Sequence, residues 1–267
     1  MTMNENSTAV LIAVYNRSQL LQKTLDSIVD DLDDLTVVIV DDGSRPPVQA
    51  ETLSCQRPIV LLKHEKNLGL VAALNTGLKY IRDSGCKYLA RLDAGDIALE
   101  GRFLKQREFL MNNPDYGLVG SRIRSIGSSE AALDDLPSSQ LKRRLHVRSE
   151  FAHPAVMLTI AAVRETGYYD KGFAGVEDWD YWLRLAKKYE IKNLPEVWTE
   201  LDGTPGSISR DTKYAVRVQR RWMKVKILWR HFDPGYVESY LGLFRALAVL
   251  AVNLVVPPFV ILARPGR

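Results

Sequence analysis

The chain has 267 residues, 46% of them hydrophobic and 25% charged, which is ordinary globular composition and excludes a disordered or collagen-like polymer. Its net charge of +4 is unevenly spread. From Lys213 to Arg267 there are ten Lys/Arg against two acids, a net of +8, so the preceding 212 residues carry a net of −4. Basicity therefore belongs to the tail, and such asymmetry points to an anionic surface as partner. The two cysteines, Cys55 and Cys86, lack metal-type spacing, which argues against a disulfide framework or a zinc-cysteine site and suits a reducing compartment. The first residues hold no basic group and only a short apolar run, Ala9–Tyr15, so a secretory signal is not expected.

In chain order, Ala9–Val14 reads as a buried strand ending at Tyr15-Asn16-Arg17, and Leu20, Leu21, Leu25, Ile28 and Val29 follow at helical spacing. Thr36–Val40 is a β-branched strand closed by Asp41-Asp42-Gly43-Ser44 and Arg45-Pro46-Pro47. Ile59–Leu62 is a third strand, Gly69–Ile81 a helix, and Tyr88–Leu92 a fourth strand ending at Asp93-Ala94-Gly95-Asp96. This alternation predicts an α/β protein with a mostly parallel, Rossmann-like sheet flanked by helices. Ligands of such sheets sit beyond the carboxyl ends of the strands, where Tyr15-Asn16, Asp41-Asp42 and Asp93/Asp96 fall.

Farther along, 125–139 reads as a Ser/Gly/Asp-rich loop, followed by a basic stretch over Lys142–Arg148. Phe151–Ile160 is expected to be a strand with His153-Pro154 near its start, and Glu177-Asp178-Trp179-Asp180 opens a helix through Tyr189. Gly203–Ser209 is expected to be a flexible loop.

Each cluster has an ordinary reading beside the chemical one. Asp41-Asp42-Gly43-Ser44 suits either an Asx-turn or carboxylates that hydrogen-bond a ribose or base. Asp93 and Asp96 supply the hard oxygens that Mg²⁺ or Mn²⁺ requires, while Asp96 alone also suits a helix N-cap. Glu177 and Asp178 favour a helix N-terminus or provide a base for a sugar hydroxyl. Trp179 and Trp182 could face a sugar or pack in the core, and His153 stands without a second ligand-type neighbour. No P-loop, nucleophile elbow or dinucleotide fingerprint is present, which removes P-loop ATPases, serine hydrolases and typical dehydrogenases.

Taken in order, Val14-Tyr15-Asn16-Arg17, Val40-Asp41-Asp42-Gly43-Ser44, Asn67-Leu68-Gly69-Leu70 with Leu74-Asn75-Thr76-Gly77-Leu78, Arg91-Leu92-Asp93-Ala94-Gly95-Asp96, His153-Pro154-Ala155-Val156-Met157 and Glu177-Asp178-Trp179-Asp180-Tyr181-Trp182-Leu183-Arg184 resemble the family-two inverting glycosyltransferases with a GT-A fold, of the bacterial surface-polysaccharide type, over Thr8 to Leu201. The resemblance implies a nucleotide-sugar donor, a divalent metal and direct displacement with inversion. It further implies that Ala13, Tyr15 and Asn16 border the nucleotide, that Asp42 reads base or ribose, and that Asn75 and Arg91 line the donor pocket. Asp93 matches the first acid of the family's Asp-x-Asp motif, Asp178 its general base, with Glu177 beside it. The motif's second acid is replaced by Gly95, which leaves three readings open: Asp96 substitutes as a metal ligand, the diphosphate itself holds most of the metal, or metal dependence is weak. Two rival readings are a sugar nucleotidyltransferase, disfavoured because Ala13–Leu20 holds one arginine and no glycine, and a member that binds without turnover, favoured by Gly95.

The expected organisation is a catalytic domain over 1–209, with a nucleotide-sugar half to about 120 and an acceptor half beyond it, and a helical tail over 210–267. Val218, Trp222, Val225, Trp229 and Phe232 form one apolar stripe beside seven basic residues, which suits an anionic membrane surface better than a nucleic-acid groove. Ala246–Ala263 is nearly all apolar but interrupted by Pro257-Pro258, and Glu238, Gly242, Arg245 and Asn253 lie within about 80° of one another on a helix, giving it a polar stripe. Helices embedded in one leaflet are expected rather than a span. The acceptor would be a lipid-linked glycan at the cytoplasmic face of a bacterial inner membrane.

Overall fold

A computed structural model describes residues 7–29, 32–125, 135–202 and 214–255. The strands are β1 Thr8–Val14, β2 Leu35–Asp41, β3 Ile59–Lys63, β4 Tyr88–Arg91, β5 Ile97–Ala98, β6 Tyr116–Ser125, β7 Val156–Thr159 and β8 Glu190–Leu201. The helices are α1 Ser18–Asp26, α2 Leu70–Asp83, α3 Arg102–Asn112, α4 Ser138–Leu145, α5 Ile160–Thr166, α6 Glu177–Ala186, α7 Tyr214–Arg230 and α8 Val237–Val255. One sheet runs in the order β3-β2-β1-β4-β7-β6-β8-β5. Its first four strands are parallel, as expected. Beyond β4 the sheet is mixed, with β7 antiparallel to both β4 and β6.

Parallel strands covered on both faces must be apolar on both faces, and β1 shows why its run is continuous. Ala9 and Leu11 pack on the α2 side, with Val38, Leu74 and Leu78. Val10, Ile12 and Val14 pack on the α1 and α3 side, with Leu21, Leu25 and Phe103. Helix α2 sits close to the sheet because Gly77 has no side chain: a Cβ there would lie 2.2 Å from Leu11 Cδ1. Cys55 and Cys86 are unpaired.

The expected strand over Phe151–Ile160 is corrected. His153–Ala155 is a turn of 3₁₀ helix, the strand is only Val156–Thr159, and α5 begins at Ile160. Thr159 ends the strand by accepting a hydrogen bond from the Ala162 amide, capping α5. The helix expected through Tyr189 stops at Ala186.

Helices α7 and α8 form a hairpin docked on the body. Val225, Ile227 and Leu228 are buried, whereas Trp222 is 55% and Trp229 73% exposed, so the expected single stripe divides between core and surface. On α8 two residues of the predicted polar stripe meet the body: Glu238 pairs with Arg143, and Gly242 lies against the His146 carbonyl, which a Cβ would approach to 2.0 Å. Arg245 of that stripe is exposed. The opposite side of α8 exposes Val237, Tyr240, Leu241, Phe244 and Leu247. Among the described residues no helix is long and apolar enough to cross a membrane. The loop expected over Gly203–Ser209, most of that over 125–139, the Pro257-Pro258 break and the side chains of Val218 and Asn253 lie outside the described residues.

Candidate active site

The carboxyl ends of β1, β2 and β4 meet on one edge, and three loops interlock there. Asn16, with φ +51°, donates its amide to Ser44 Oγ (2.9 Å) and accepts from the Arg45 amide (2.8 Å). Gly43 has φ +74°, and a Cβ there would lie 2.4 Å from the Lys66 carbonyl carbon, so only glycine fits this crossing. Tyr15 stands 46% exposed at the rim, with Ala13 half-buried behind it.

The two readings of the Asp pair separate by residue. Asp41 makes the turn, accepting from the Ser44 amide (2.9 Å) and the Val48 amide (2.8 Å). Asp42, also buried, accepts from the Leu68 and Gly69 amides (2.9 Å each) at the start of α2, and from His64 Nδ1 (2.7 Å). With its proton on Nδ1, His64 accepts from Thr76 Oγ1 at Nε2 (2.9 Å). Asp42 thus forms the floor of the crevice, and His64, which had no motif to mark it, holds it there.

Arg91 is wholly buried at the end of β4. It donates to the Leu11 and Leu92 carbonyls and to Asp93 Oδ1. Its Nε faces His153 Nε2 (3.4 Å), which also receives the Tyr169 hydroxyl (3.0 Å). Burial, with the Arg91 charge beside it, pushes the His153 pKa down to about 3, so the imidazole is a neutral acceptor. Asn75 fixes Tyr169 by exchanging two hydrogen bonds with its backbone, both 2.9 Å. A chain of contacts therefore runs Asn75–Tyr169–His153–Arg91–Asp93 and sets the aim of Asp93, whose side chain is 44% exposed. Tyr169 and the role of His153 were not singled out from the sequence.

Asp96 points inward and accepts from the Asp202 amide (2.7 Å). Burial, reinforced by the charges of Asp93 and Asp202, raises its pKa to about 7. The Asp202 carboxylate in turn pairs with Arg17 (2.8 Å) and fills the space beside Gly95, where a Cβ would meet Asp202 Oδ2 at 2.9 Å. A carboxylate carried on the end of β8 thus stands where a side chain at position 95 would project. Among the described residues no three or more His/Cys/Asp/Glu are grouped to hold a metal.

An Asp with a raised folded pKa keeps its proton when the unfolded chain has lost it. Its contribution to stability falls as pH rises from the unfolded value, 3.8, through about 7. Asp96→Asn keeps the acceptor for the Asp202 amide and removes the buried charge. The expected result is a Tm above wild type at pH 8, with the gain shrinking toward pH 4; thermal melts across that range check it, and a loss of Tm at pH 8 contradicts the assignment.

Asp178 and Glu177 occupy the first turn of α6. Burial, then the charges of Glu177 and Asp93, raises the Asp178 pKa to about 7. Asp178 Oδ1 accepts from the Trp179 amide (2.8 Å), and Glu177 accepts from the Gly175 amide. Burial is also the main cause of the upward shift of Glu177. Asp180 faces the other way: burial opposes its charge, but His231 (2.8 Å) and Arg184 (2.9 Å) outweigh it and hold the pKa low. Both tryptophans are core residues, Trp179 donating to the Leu145 carbonyl (2.8 Å) and Trp182 fully buried.

The site gathers Asp93, Asp96, Asp202, Glu177 and Asp178 against Arg17 and Arg91. A diphosphate entering so acidic a crevice needs a cation, and Asp93 is the half-exposed hard ligand available to one. One half-exposed carboxylate is too few to hold an ion by itself, so an ion at Asp93 would take most of its ligands from the diphosphate's oxygens.

The fold is the GT-A fold of a nucleotide-sugar-dependent glycosyltransferase. The profile described as "Glycosyl transferase family 2" matches residues 9–158, and the chain belongs to that family. It is 30% identical over 205 residues to the amylovoran biosynthesis glycosyltransferase AmsE of Erwinia amylovora, covering 71% of this chain and 73% of that one. It is 26% identical over 264 residues to the UDP-Gal:alpha-D-GlcNAc-diphosphoundecaprenol beta-1,3-galactosyltransferase of Escherichia coli, covering 94% and 92%. The mannosyltransferase PcManGT from Pyrobaculum calidifontis, solved with GDP-Man and Mn2+, superposes with a TM-score of 0.63 at 19% identity, covering 91% of this chain and 69% of that one.

Proposed function

We propose that the enzyme transfers a sugar, with inversion, from a nucleotide-sugar donor to a growing lipid-linked glycan of the bacterial surface, at the cytoplasmic face of the inner membrane. The observation that carries the mechanism is Asp178: a carboxylate on a helix N-terminus, with a pKa of about 7, within electrostatic reach of Asp93. A base needs a proton affinity near working pH, and the crevice provides it opposite the donor side. Ala13, Tyr15 and Asn16 border the nucleoside above the Asp42 floor. Asn75 and Arg91 hold the donor wall, and Asp93 would hold a divalent cation, with Asp96 behind it. Such a cation, when bound, neutralises charge on the departing diphosphate. Asp178 takes the proton of the acceptor hydroxyl as the oxygen attacks the anomeric carbon from the face opposite the leaving group. Glu177 keeps that proton affinity high by its neighbouring charge.

The relatives support the acceptor class: one serves amylovoran synthesis and another acts on a diphosphoundecaprenol-linked sugar. The exposed aromatic and aliphatic face of the α7–α8 hairpin, beside exposed Lys224 and Arg245, supports contact with an anionic membrane.

A panel of sugar nucleotides tests the reading through thermal stability with and without Mn2+, because a ligand of the folded state raises Tm. One donor class is expected to stabilise the protein, more so with Mn2+, and Asp93→Ala is expected to remove the metal-dependent part. A protein that no sugar nucleotide stabilises, or from which no transfer or donor hydrolysis is ever detected, does not perform this reaction.

A further inference from the structure

Residues 143–150 are touched from three sides. From α8, Glu238 pairs with Arg143 (3.4 Å), Ser239 Oγ hydrogen-bonds His146 Nδ1 (3.0 Å), and Gly242 packs on the His146 carbonyl. From α6, Trp179 Nε1 donates to the Leu145 carbonyl (2.8 Å), one residue away from Asp178. On the third side the segment opens a cavity of about 280 Å³ whose wall includes Arg122, Arg144, Arg148, Glu150 and Asn193.

The charge of this cavity runs against that of the body, which is net negative up to residue 212. Glu150 serves two guanidiniums at once, Arg144 (3.2 Å) and Arg148 (2.5 Å). Its own side chain is 9% exposed, whereas those of Arg144 and Arg148 are 35% and 61% exposed. Two partly exposed arginines sharing one buried carboxylate keep donors turned toward the cavity and leave a positive surplus. The planar guanidinium fork matches phosphate oxygens in pairs. The backbone is held locally too: Asn193 Nδ2 donates to the Glu150 carbonyl (3.0 Å).

We propose that this arginine cavity is the subsite for the diphosphate of a lipid-linked acceptor. The inference rests on the acceptor class proposed above and gives it an address. A lipid-linked diphosphate lies at the level of the headgroups, and the hairpin that presents the apolar face is docked on the very segment carrying Arg144 and Arg148. The base Asp178 is on the helix packed against the other side of that segment. In this arrangement the anion would be met near the headgroups, and the sugar beyond it would reach toward the crevice.

The test uses the full chain in neutral detergent micelles, with the donor site saturated by the nucleoside diphosphate that stabilises it. Farnesyl diphosphate and farnesol are titrated by calorimetry, and flotation with phosphatidylglycerol vesicles is followed in parallel. Wild type is expected to bind the diphosphate at least about tenfold more tightly than the alcohol. The double variant Arg144→Gln/Arg148→Gln is expected to lose about that factor for the diphosphate alone, leaving farnesol, vesicle flotation and nucleotide binding unchanged. Glu150→Gln releases both guanidiniums and is expected to tighten diphosphate binding. Equal binding of diphosphate and alcohol by wild type overturns the subsite. So does a double variant that loses vesicles and diphosphate in parallel, since the arginines would then be a general headgroup surface; no gain in Glu150→Gln counts the same way. Failure of the catalytic reading shows separately, as wild type that no nucleotide stabilises.

Discussion

Asp178→Asn is expected to lower sugar transfer by about 10² to 10⁴-fold while leaving nucleotide affinity close to wild type. The amide is nearly isosteric and can still accept from the Trp179 backbone, so α6 keeps its first turn. What disappears is the proton acceptor. In wild type, kcat/KM should rise with pH and level off above about 7, because burial and the Glu177 charge hold Asp178 protonated below that value. In the variant this limb should vanish. Stability moves the opposite way: the wild-type carboxyl keeps its proton between pH 3.8 and about 7 while the unfolded chain has released it, so folding free energy is lost as pH rises through that window. Asn carries no charge to desolvate, so Asp178→Asn should melt above wild type at pH 8. Loss of activity with gain of stability distinguishes a base from a residue that merely supports the fold. A variant with near-normal transfer and an unchanged pH limb would transfer the role to Glu177.

The elements that frame the crevice were legible because their physics is local. A parallel strand buried on both faces must be an unbroken apolar run, and β1, β2 and β4 are, each closed by the polar residues that became the site. Strand β8 was not legible: Glu190–Leu201 lies toward the edge, contains Pro195, and pairs with β6 through register shifts that destroy simple alternation. The contacts that aim the acids were hidden for a different reason. Arg91 and His153 are 62 residues apart, Asn75 and Tyr169 94, and Asp96 and Asp202 106. Such pairs carry no periodic signal. Gly95 illustrates the point: its missing carboxylate is a deficit when read along the chain, yet Asp202 stands beside it in space.

The hairpin shows the same limit, because periodicity marks an apolar arc without saying what it faces. Val225 and Trp229 belong to one stripe on the helix, but Val225 is buried and Trp229 is 73% exposed. The docked side of α7 instead holds Ile227, Leu228 and His231, the last bonded to the fully buried Asp180. This changes the experiment that probes membrane attachment. Deleting 210–267 would uncover the core cluster on which Ile227 and Leu228 pack and strip Asp180 of its His231 hydrogen bond, so aggregation would mask release. Replacing outward residues avoids this. Trp222→Ser/Trp229→Ser/Phe244→Ser removes three exposed rings without touching the docked side. Full burial of such a side chain contributes about 1.5–3 kcal/mol, so the triple variant should partition into anionic vesicles at least about 10³-fold more weakly. Its Tm and nucleotide binding should stay within error of wild type. High salt should release wild type only in part, since screening weakens attraction by exposed Lys224 and Arg245 but leaves apolar burial intact. Flotation at low and high salt decides the matter: wild type that stays with the soluble fraction, or a triple variant that floats as well as wild type, means the exposed face meets something other than a lipid surface.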